Sequence, residues 1–496
     1  MNKFQVMYSN KVIVAPMVRV STLPFRLLCL DYGADLVYTE ETIDFKMLRS
    51  IKKENEVFGT TDFVDKSDGT IFFRTCKLEK EKLIFQIGTA NAQRALKVAL
   101  LVQDHVAGID INMGCPKEFS IKGGMGAALL QQPEKIKDIL ITLTKNLSIP
   151  VTCKIRILPT CEETIALCKL IEGCGVAAIA IHGRRKDERP NHSNHNDIIR
   201  RAAEALTIPV IANGGSKEIE SYEDFEKFRS ETGASSIMIA RAAMWNCSIL
   251  RKKGTLHHDV VIKDYLKYCV QYDNPFTYSK YTVQNILREL QSTEKGKAFL
   301  ETQTLQEICS LWDLKDYFND FMKEHFSTIA DSKVNSRSCA PQSIENIKIE
   351  EREENGVKII EMPLHFIRGN YSNANLPKMI LNNHAFKNGI KLLQYNCEMV
   401  EKFFVSDVNV DGIKYRSSIK EKSRRYAEQA AALVYLHTKG LVEKYYGFIP
   451  SVGTRKHKNL VTYKAKIENK KRILDSNTND DFREKKSSKL SENTLL

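Results

Sequence analysis

The amino-acid sequence predicts an α/β chain organised around a (β/α)8 TIM barrel, followed by a small all-α domain and a compact α-β-β-β-α module. Three observations carry that prediction. Eight short apolar, β-branched runs recur along the first half, helical-period segments separate most of them, and polar, reactive residues follow nearly every run. The runs are near-continuously hydrophobic rather than alternating, as strands buried on both faces should be. Eight such units in about 240 residues fit a closed barrel. A doubly wound open sheet would need a Gly-x-Gly-x-x-Gly turn after an early strand, and none follows Val12 to Met17.

In chain order, Val12 to Pro16 is the first run and Met17 follows it. Leu36 to Thr39 is followed by Glu40, and Leu83 to Ile87 carries Gln86. Ala107 to Ile111 leads into Asn112-Met113-Gly114-Cys115-Pro116, and Val151 to Ile155 carries Lys154 with Arg156 just beyond. Ala177 to Ile181 leads to His182 and Arg184, Pro209 to Ala212 to Asn213-Gly214-Gly215, and Ser235 to Ile239 to Ala240-Arg241. In a barrel, the strand ends that bear such residues are where active sites are built. Asn91 to Gln103 and Cys161 to Glu172 read as intervening helices, and Asp259 to Tyr272, Tyr281 to Leu290 and Leu305 to Phe326 as the helical domain. The module reads as a helix near Pro377 to Leu393, strands at Tyr395 to Val400, Phe403 to Val410 and Ile413 to Ser418, and a helix from Ser423 to Thr438; Val410-Asp411-Gly412 predicts a hairpin. The expected boundaries are 1–250 for the barrel, 251–330 for the helical domain, 331–360 for a linker, 361–443 for the module and 444–496 for a basic tail without order.

Composition narrows the function classes. Of 496 residues, 43% are hydrophobic and 27% charged, so a disordered, collagenous or coiled-coil protein is excluded. No apolar stretch reaches the roughly 18 residues of a membrane span, and Met1 to Ser9 lacks a secretory apolar block. The expectation is a soluble, cytoplasmic, monomeric protein without a membrane partner; the basic cluster Lys470-Lys471-Arg472 leaves nuclear or mitochondrial visits open. Twelve cysteines include no Cys-x-x-Cys pair, so neither a metal site nor a disulfide framework is expected. Charge is uneven: residues 1–360 hold 49 Lys+Arg against 47 Asp+Glu, 361–443 hold 12 against 8, and 444–496 hold 13 against 6. A near-neutral body thus precedes a part suited to a polyanion.

Cys115, on a Gly/Pro-shaped turn at the barrel mouth, has the chemistry of a nucleophile or proton donor, and with an ordinary pKa of about 8.5 it is mostly protonated at neutral pH. Asn213-Gly214-Gly215 and Ala240-Arg241 supply close backbone N–H groups and a guanidinium where barrels commonly hold a phosphate.

In order and spacing, Ala15-Pro16-Met17, Gln86, Asn112 to Pro116, Lys154-Ile155-Arg156, His182-Gly183-Arg184, Asn213 to Gly215 and Ala240-Arg241 resemble the tRNA-dihydrouridine synthases, from about Lys11 to about Ala330. The resemblance implies FMN over the barrel mouth, with Pro16, Met17, Gln86, Lys154 and His182 at the flavin and Asn213, Gly214, Gly215, Ala240 and Arg241 at its phosphate. It implies Asn112, Arg156 and Arg184 at the substrate, NADPH or NADH as reductant, and tRNA as partner. Reducing the uracil C5–C6 bond needs a hydride at C6 and a proton at C5, and a flavin with Cys115 as acid supplies both. The module, with Lys420, Lys422, Arg424 and Arg425 at the start of its last helix, resembles a double-stranded RNA-binding domain, which meets phosphates by shape. Barrel, helical domain and such a module together are similar to the eukaryotic dihydrouridine synthase 2 type, implying uridine 20 of the tRNA D-loop. Two other readings are an FMN-dependent dehydrogenase of free pyrimidines and a non-catalytic double-stranded RNA adaptor. The first leaves the module idle; the second does not need Cys115 and Lys154.

Overall fold

The computed structural model describes residues 2–335 and 349–442, apart from 67–68, 190, 355, 372–374, 391–392 and 402. The expected tail at 444–496 and residues 336–348 of the expected linker lie outside them.

Among the described residues of the first part, twelve strands form: β1 (Val12–Val14), β2 (Leu36–Tyr38), β3 (Thr42–Ile43), β4 (Ser50–Asn55), β5 (Thr60–Asp65), β6 (Ile71–Cys76), β7 (Leu83–Gly88), β8 (Gly108–Met113), β9 (Val151–Arg156), β10 (Ala178–His182), β11 (Val210–Asn213) and β12 (Ser236–Ile239). The eight sequence runs become β1, β2 and β7 to β12. They pair in parallel in the order β2-β1-β12-β11-β10-β9-β8-β7, and β2 pairs with β7 to close the barrel. Alternating side chains give each strand two buried faces. One set, including Ile13, Tyr38, Ile84, Ala180, Ile211 and Met238, fills the interior; the other, including Val14, Phe85, Ile109, Cys153, Ile179 and Ile237, packs outward under the helices. This double burial is why the runs lack alternation. The intervening helices Ala92–Val102 and Cys161–Glu172 are capped by Asn91 and by a Thr160/Glu163 capping box.

Residues 42–76, for which the sequence carried no apolar run, form β3, which pairs with β7, and a separate antiparallel sheet β4-β5-β6. Its central strand buries Thr60, Thr61 and Asp62, with Arg74 bonded to the Asp62 carboxylate at 2.5 Å. Arg26 on helix Leu23–Asp31 pairs with fully buried Glu79 at 2.6 Å. Losing one partner of such a buried pair costs about 3–5 kcal/mol, because the other charge is left unpaired.

Helices His258–Gln271, Phe276–Leu287, Glu294–Glu301, Leu305–Leu311 and Lys315–Asn335 follow. The helix expected over Leu305 to Phe326 is broken near Asp313, whose φ is 57°. Val261, Leu266, Val283 and Trp312 belong to the same apolar cluster as Phe25, Leu28 and Phe85, so no break in packing separates 1–250 from 251–330. The chain divides instead into one compact unit of Met1–Cys339 with Ile367–Lys387 and another of Ala340–Phe366 with Asn388–Leu496.

The second unit holds β13 (Glu350–Glu354), β14 (Val357–Met362), β15 (Gln394–Val400), β16 (Phe403–Val410) and β17 (Ile413–Ser417), in the order β13-β14-β17-β16-β15. Helix Arg424–Thr438 covers this sheet with Ala430, Leu433 and Val434 buried and Tyr415 edge-on to Tyr435 at 5.0 Å. The hairpin turns at Asp411 and Gly412, whose φ values are 51° and 83°. Helix Pro377–Lys387 forms where a helix is expected but falls in the first unit. The linker expected at 331–360 is corrected at both ends: helix Lys315–Asn335 enters it, and β13 and most of β14 lie inside it. β13 reads as linker because all five of its residues are exposed, four of them glutamates on a sheet edge, so no apolar run marks it.

Candidate active site

The cysteine loop is shaped from β8 outward. Asn112 ends the inward-facing row of that strand, and its Oδ1 accepts from the N–H groups of Gly114 and Cys115, both at 3.0 Å. Its Nδ2 donates to Gln86 Oε1 at 3.4 Å, while Gln86 Nε2 donates to Asp110 Oδ2 at 2.8 Å. Thr152 donates to the other Asp110 oxygen at 2.7 Å. Burial pushes Asp110 up to about 6, opposed by these bonds and by Lys154. Asn112 and Gln86 therefore spend much of their amide capacity holding the turn that presents Cys115. From the far side, Gly126 at φ 56° lies so close that a Cβ there would sit 2.6 Å from the Cys115 carbonyl oxygen and 2.4 Å from the Ser120 hydroxyl. Burial raises the pKa of the Cys115 thiol, and the nearby Glu41 charge raises it further, so the sulfur holds its proton at neutral pH.

On β9, Lys154 is flanked by Asn112 of β8 and Ala180 of β10, and Arg156 by His182 of β10. Arg156 Nε donates to the Gly114 carbonyl at 2.8 Å and its Nη1 to the Arg185 carbonyl at 2.9 Å, which fixes the guanidinium beside the cysteine loop. Lys154 has no hydrogen-bond or ion-pair partner among the described residues. Burial pushes its ammonium down to about 8; Arg156 adds to the drop, and Asp110 and Cys115 oppose it.

His182 is held neutral: burial lowers its pKa well below 6.5, and Lys154, Arg156, Arg184 and Arg241 all push the same way. Arg184 is buried, with Nη1 3.3 Å from His182 Nε2 and Nε donating to the His192 carbonyl at 2.9 Å. Arg241 makes no ion pair among the described residues and lies over the Trp245 ring. Four cations around one imidazole, without a carboxylate among its perturbing neighbours, form a site that an anion would relieve.

The glycine turn after β11 is required by geometry. Gly214 and Gly215 have φ of 125° and 60°, and Cβ atoms there would lie 1.9 Å from Asn194 Oδ1 and 2.8 Å from the Phe228 ring. Asn213 is buried, with its side-chain amide donating to the Met238 carbonyl at 2.7 Å. Ala240 caps helix Arg241–Trp245 at the end of β12. At the end of β1, the Met17 N–H donates to Ser21 Oγ at 3.0 Å, tightening the Pro16-Met17 turn.

Residues 13–345 match the dihydrouridine synthase family. The chain belongs to that family. It is 38% identical over 292 residues to a Schizosaccharomyces pombe protein named tRNA-dihydrouridine(20) synthase, NAD(P)+, covering 57% of this chain and 60% of that one. A Saccharomyces cerevisiae protein of the same name is 35% identical over 300 residues, covering 57% of this chain and 78% of that one. A mouse protein named tRNA-dihydrouridine(20a/20b) synthase, NAD(P)+-like, is 30% identical over 314 residues, covering 62% and 89%. A solved tRNA-dihydrouridine(20) synthase dsRBD domain is 34% identical, covering 17% of this chain and 90% of that one, with a TM-score of 0.16. Dihydrouridine synthases are flavin-dependent oxidoreductases, which matches the donor set here: a partnerless ammonium, a neutral imidazole, a guanidinium and a glycine turn suit a planar, anionic, phosphorylated ring system.

The family site also contains residues that the sequence did not single out. Asp110 and Thr152 sit two positions before Asn112 and Lys154, and that period-2 spacing was the available signal. Asn194, whose buried Oδ1 has no hydrogen-bond partner among the described residues, folds over the Gly183 and Gly214 turns. After β2 the sequence pointed to Glu40, which accepts from the Arg19 N–H at 2.5 Å; its neighbour Glu41 buries its Oε1 in the space that Gly88 leaves open. In the second unit, Lys420, Lys422, Arg424 and Arg425 are all exposed along the approach to the last helix and its first turn. Lys420 reaches Glu401 at 3.4 Å, Lys422 lies over the Tyr426 ring, and Arg424 pairs with Glu428 at 3.1 Å, while Arg425 has no ion-pair partner among the described residues.

Proposed function

We propose that this chain reduces the C5–C6 double bond of a D-loop uridine in tRNA, at position 20, using FMN and NADPH or NADH, with Cys115 as the acid that protonates C5. The observation that carries the reading is the pairing of a proton-holding thiol with a cluster of cations around a neutral imidazole, at one barrel mouth, in a chain of this family. The position follows the names of the two yeast relatives.

FMN bound here supplies the hydride chemistry. Arg241 and the backbone of Asn213 to Gly215 and Ala240 bind its phosphate, and Pro16 and Met17 border it. Lys154 stabilises negative charge on its ring, and neutral His182 donates or accepts one hydrogen bond without adding a fifth cation. Asn112 and Arg156 hold the uracil beside Cys115, and Arg184 closes the cationic wall. The target base has to leave its stack to reach a thiol at the barrel mouth. Lys420, Lys422, Arg424 and Arg425 hold tRNA phosphates.

The test is direct. The purified chain should be yellow and should form dihydrouridine, read by mass spectrometry of digested tRNA, when given NADPH and unmodified tRNA. A preparation that stays colourless with added FMN, or a yellow one that reduces free uridine as well as tRNA, would sink the proposal.

A further inference from the structure

We infer that Glu188 positions Arg156 for the substrate by gripping the Arg185 backbone, whose carbonyl holds the Arg156 guanidinium; the inference rests on the reaction proposed above, which puts Arg156 at the uracil. Every link is a hydrogen bond. Arg156, the last residue of β9, is tied to two loops: its Nε donates to the Gly114 carbonyl at 2.8 Å and its Nη1 to the Arg185 carbonyl at 2.9 Å. The first tie joins it to the turn that carries Cys115. The second joins it to the loop between β10 and helix Asn196–Ala205. A guanidinium carries five N–H donors in a fixed fork, so these two ties decide where the other three point.

A carbonyl can fix a guanidinium only if its own peptide is fixed. The loop after β10 is closed at its base by backbone bonds, from the Gly183 N–H to the Asn213 carbonyl at 3.0 Å and from the His195 N–H to the Gly183 carbonyl at 2.7 Å. Those bonds do not involve Arg185. Glu188 does: its Oε2 accepts from the Arg185 N–H at 2.6 Å, and its own N–H donates to the Arg185 carbonyl at 3.3 Å. Its Oε1 lies 2.9 Å from Nε2 of His195, the residue that caps helix Asn196–Ala205. Residue 185 is thus held at both of its peptide groups and anchored to that helix.

Two donors converge on Glu188, and a carboxylate supplies an acceptor for each. Burial works against its charge, but the bonds from His195 and the Arg185 N–H outweigh it and hold the carboxyl below its ordinary pKa, so both oxygens accept at neutral pH. Glutamine would keep one acceptor, enough for the Arg185 N–H, and alanine none. Without the grip the Arg185 carbonyl is released and Arg156 keeps its tie to Gly114, so the step that needs the uracil held should suffer and the step between nicotinamide and flavin should not. Glu188 acts through Arg156 and is therefore a positioning residue.

The test uses the full chain as wild type, Glu188→Ala, Glu188→Gln, Arg156→Ala and the Glu188→Ala/Arg156→Ala double variant. Dihydrouridine formation, flavin reduction by NADPH, and hydrogen–deuterium exchange of the peptides spanning 114–122 and 183–189 are read on each. Glu188→Ala should lower kcat/KM for tRNA about tenfold, the scale of one hydrogen bond to a charged group, with flavin content and its reduction by NADPH unchanged. Glu188→Gln should recover most of that loss. In the Arg156→Ala background Glu188→Ala should cost nothing more, because residues that act as one unit do not add. Exchange should quicken in 183–189 and, through Arg156, in 114–122. Additive losses, a Gln variant no better than Ala, or exchange in 114–122 that ignores Glu188→Ala would overturn the inference. If the wild type makes no dihydrouridine while exchange couples the two loops, the reaction assignment fails and the positioning of Arg156 by Glu188 stands.

Discussion

Lys154 is the cation that the fold leaves most conspicuously unserved, and replacing it with methionine separates its cost to folding from its use in the reaction. Burial takes its pKa from 10.5 to about 8. Between those values the unfolded chain binds the proton and the folded chain does not, so the side chain's contribution to stability improves as pH rises through that window. Below about pH 8 the folded protein carries the whole penalty. The gap corresponds to about 3 kcal/mol at 1.36 kcal/mol per pH unit. Because Lys154 keeps some exposure at the mouth, solvent screening lowers this to roughly 1–2 kcal/mol. Lys154→Met removes the charge and retains the reach, so the flavin-free variant should melt a few degrees above wild type at pH 7, with the difference shrinking towards pH 10. Added FMN should raise the wild-type melting temperature more than the variant's, and dihydrouridine formation should fall by about 10² or more. Thermal melts at pH 7, 8.5 and 10, with and without FMN, read all of this. A flavin-free variant that melts below wild type at pH 7, with a gap that ignores pH, would mean the ammonium is satisfied inside the barrel, and the argument for an absent anionic partner would fail.

Three further outcomes follow from the same geometry. Cys115→Ala should keep its flavin and its reduction by NADPH while dihydrouridine formation drops by about 10² or more, the scale of a lost general acid; wild-type turnover of tRNA would assign the proton to another group. Arg241→Ala should lose FMN more readily than wild type on gel filtration, because Arg241 is the guanidinium after β12 and has no ion-pair partner among the described residues; equal retention would place the phosphate elsewhere. Replacing Arg424 and Arg425 together should weaken tRNA binding across sequences and flatten its salt dependence by up to about two units of slope. Since Arg424 is already paired with Glu428, Arg425→Ala alone should account for most of that change, and superimposable salt titrations would remove this surface from tRNA docking.

The barrel was legible because burial on both faces writes itself into sequence as unbroken apolar runs: each of the eight ends within two residues of its strand. Legibility stopped where burial and apolarity part company. β5 is wholly buried yet opens Thr60-Thr61-Asp62, its polar groups satisfied by Asn55, Glu54 and Arg74 from neighbouring strands, and no local pattern announces partners that far along the chain. β13 is the converse, a strand with every side chain exposed, held by backbone pairing to β14 and by cross-strand ion pairs such as Arg352 to Glu361. The helical segment was legible as helices but not as part of the barrel's packing, because an amphipathic stripe says that something covers it and not what.

The same division runs through the site. On strands the two-residue period fixes which side chains face inward, so the row that holds Asn112 also holds Asp110, and the row that holds Lys154 and Arg156 also holds Thr152. Turns have no such period. After β2 the choice between Glu40 and Glu41 depends on backbone dihedrals that the sequence does not display, and the two neighbours diverge, one to the Arg19 N–H and the other into the space beside Gly88. Glycine offers partial compensation, since it marks places where something approaches too closely for a side chain. Gly88 marks the Glu41 carboxyl, Gly126 the back of the cysteine loop, and Gly214 the Asn194 amide. Three of the contacts that shape this site were thus present in the sequence as missing side chains, readable as crowding but not as the identity of what crowds.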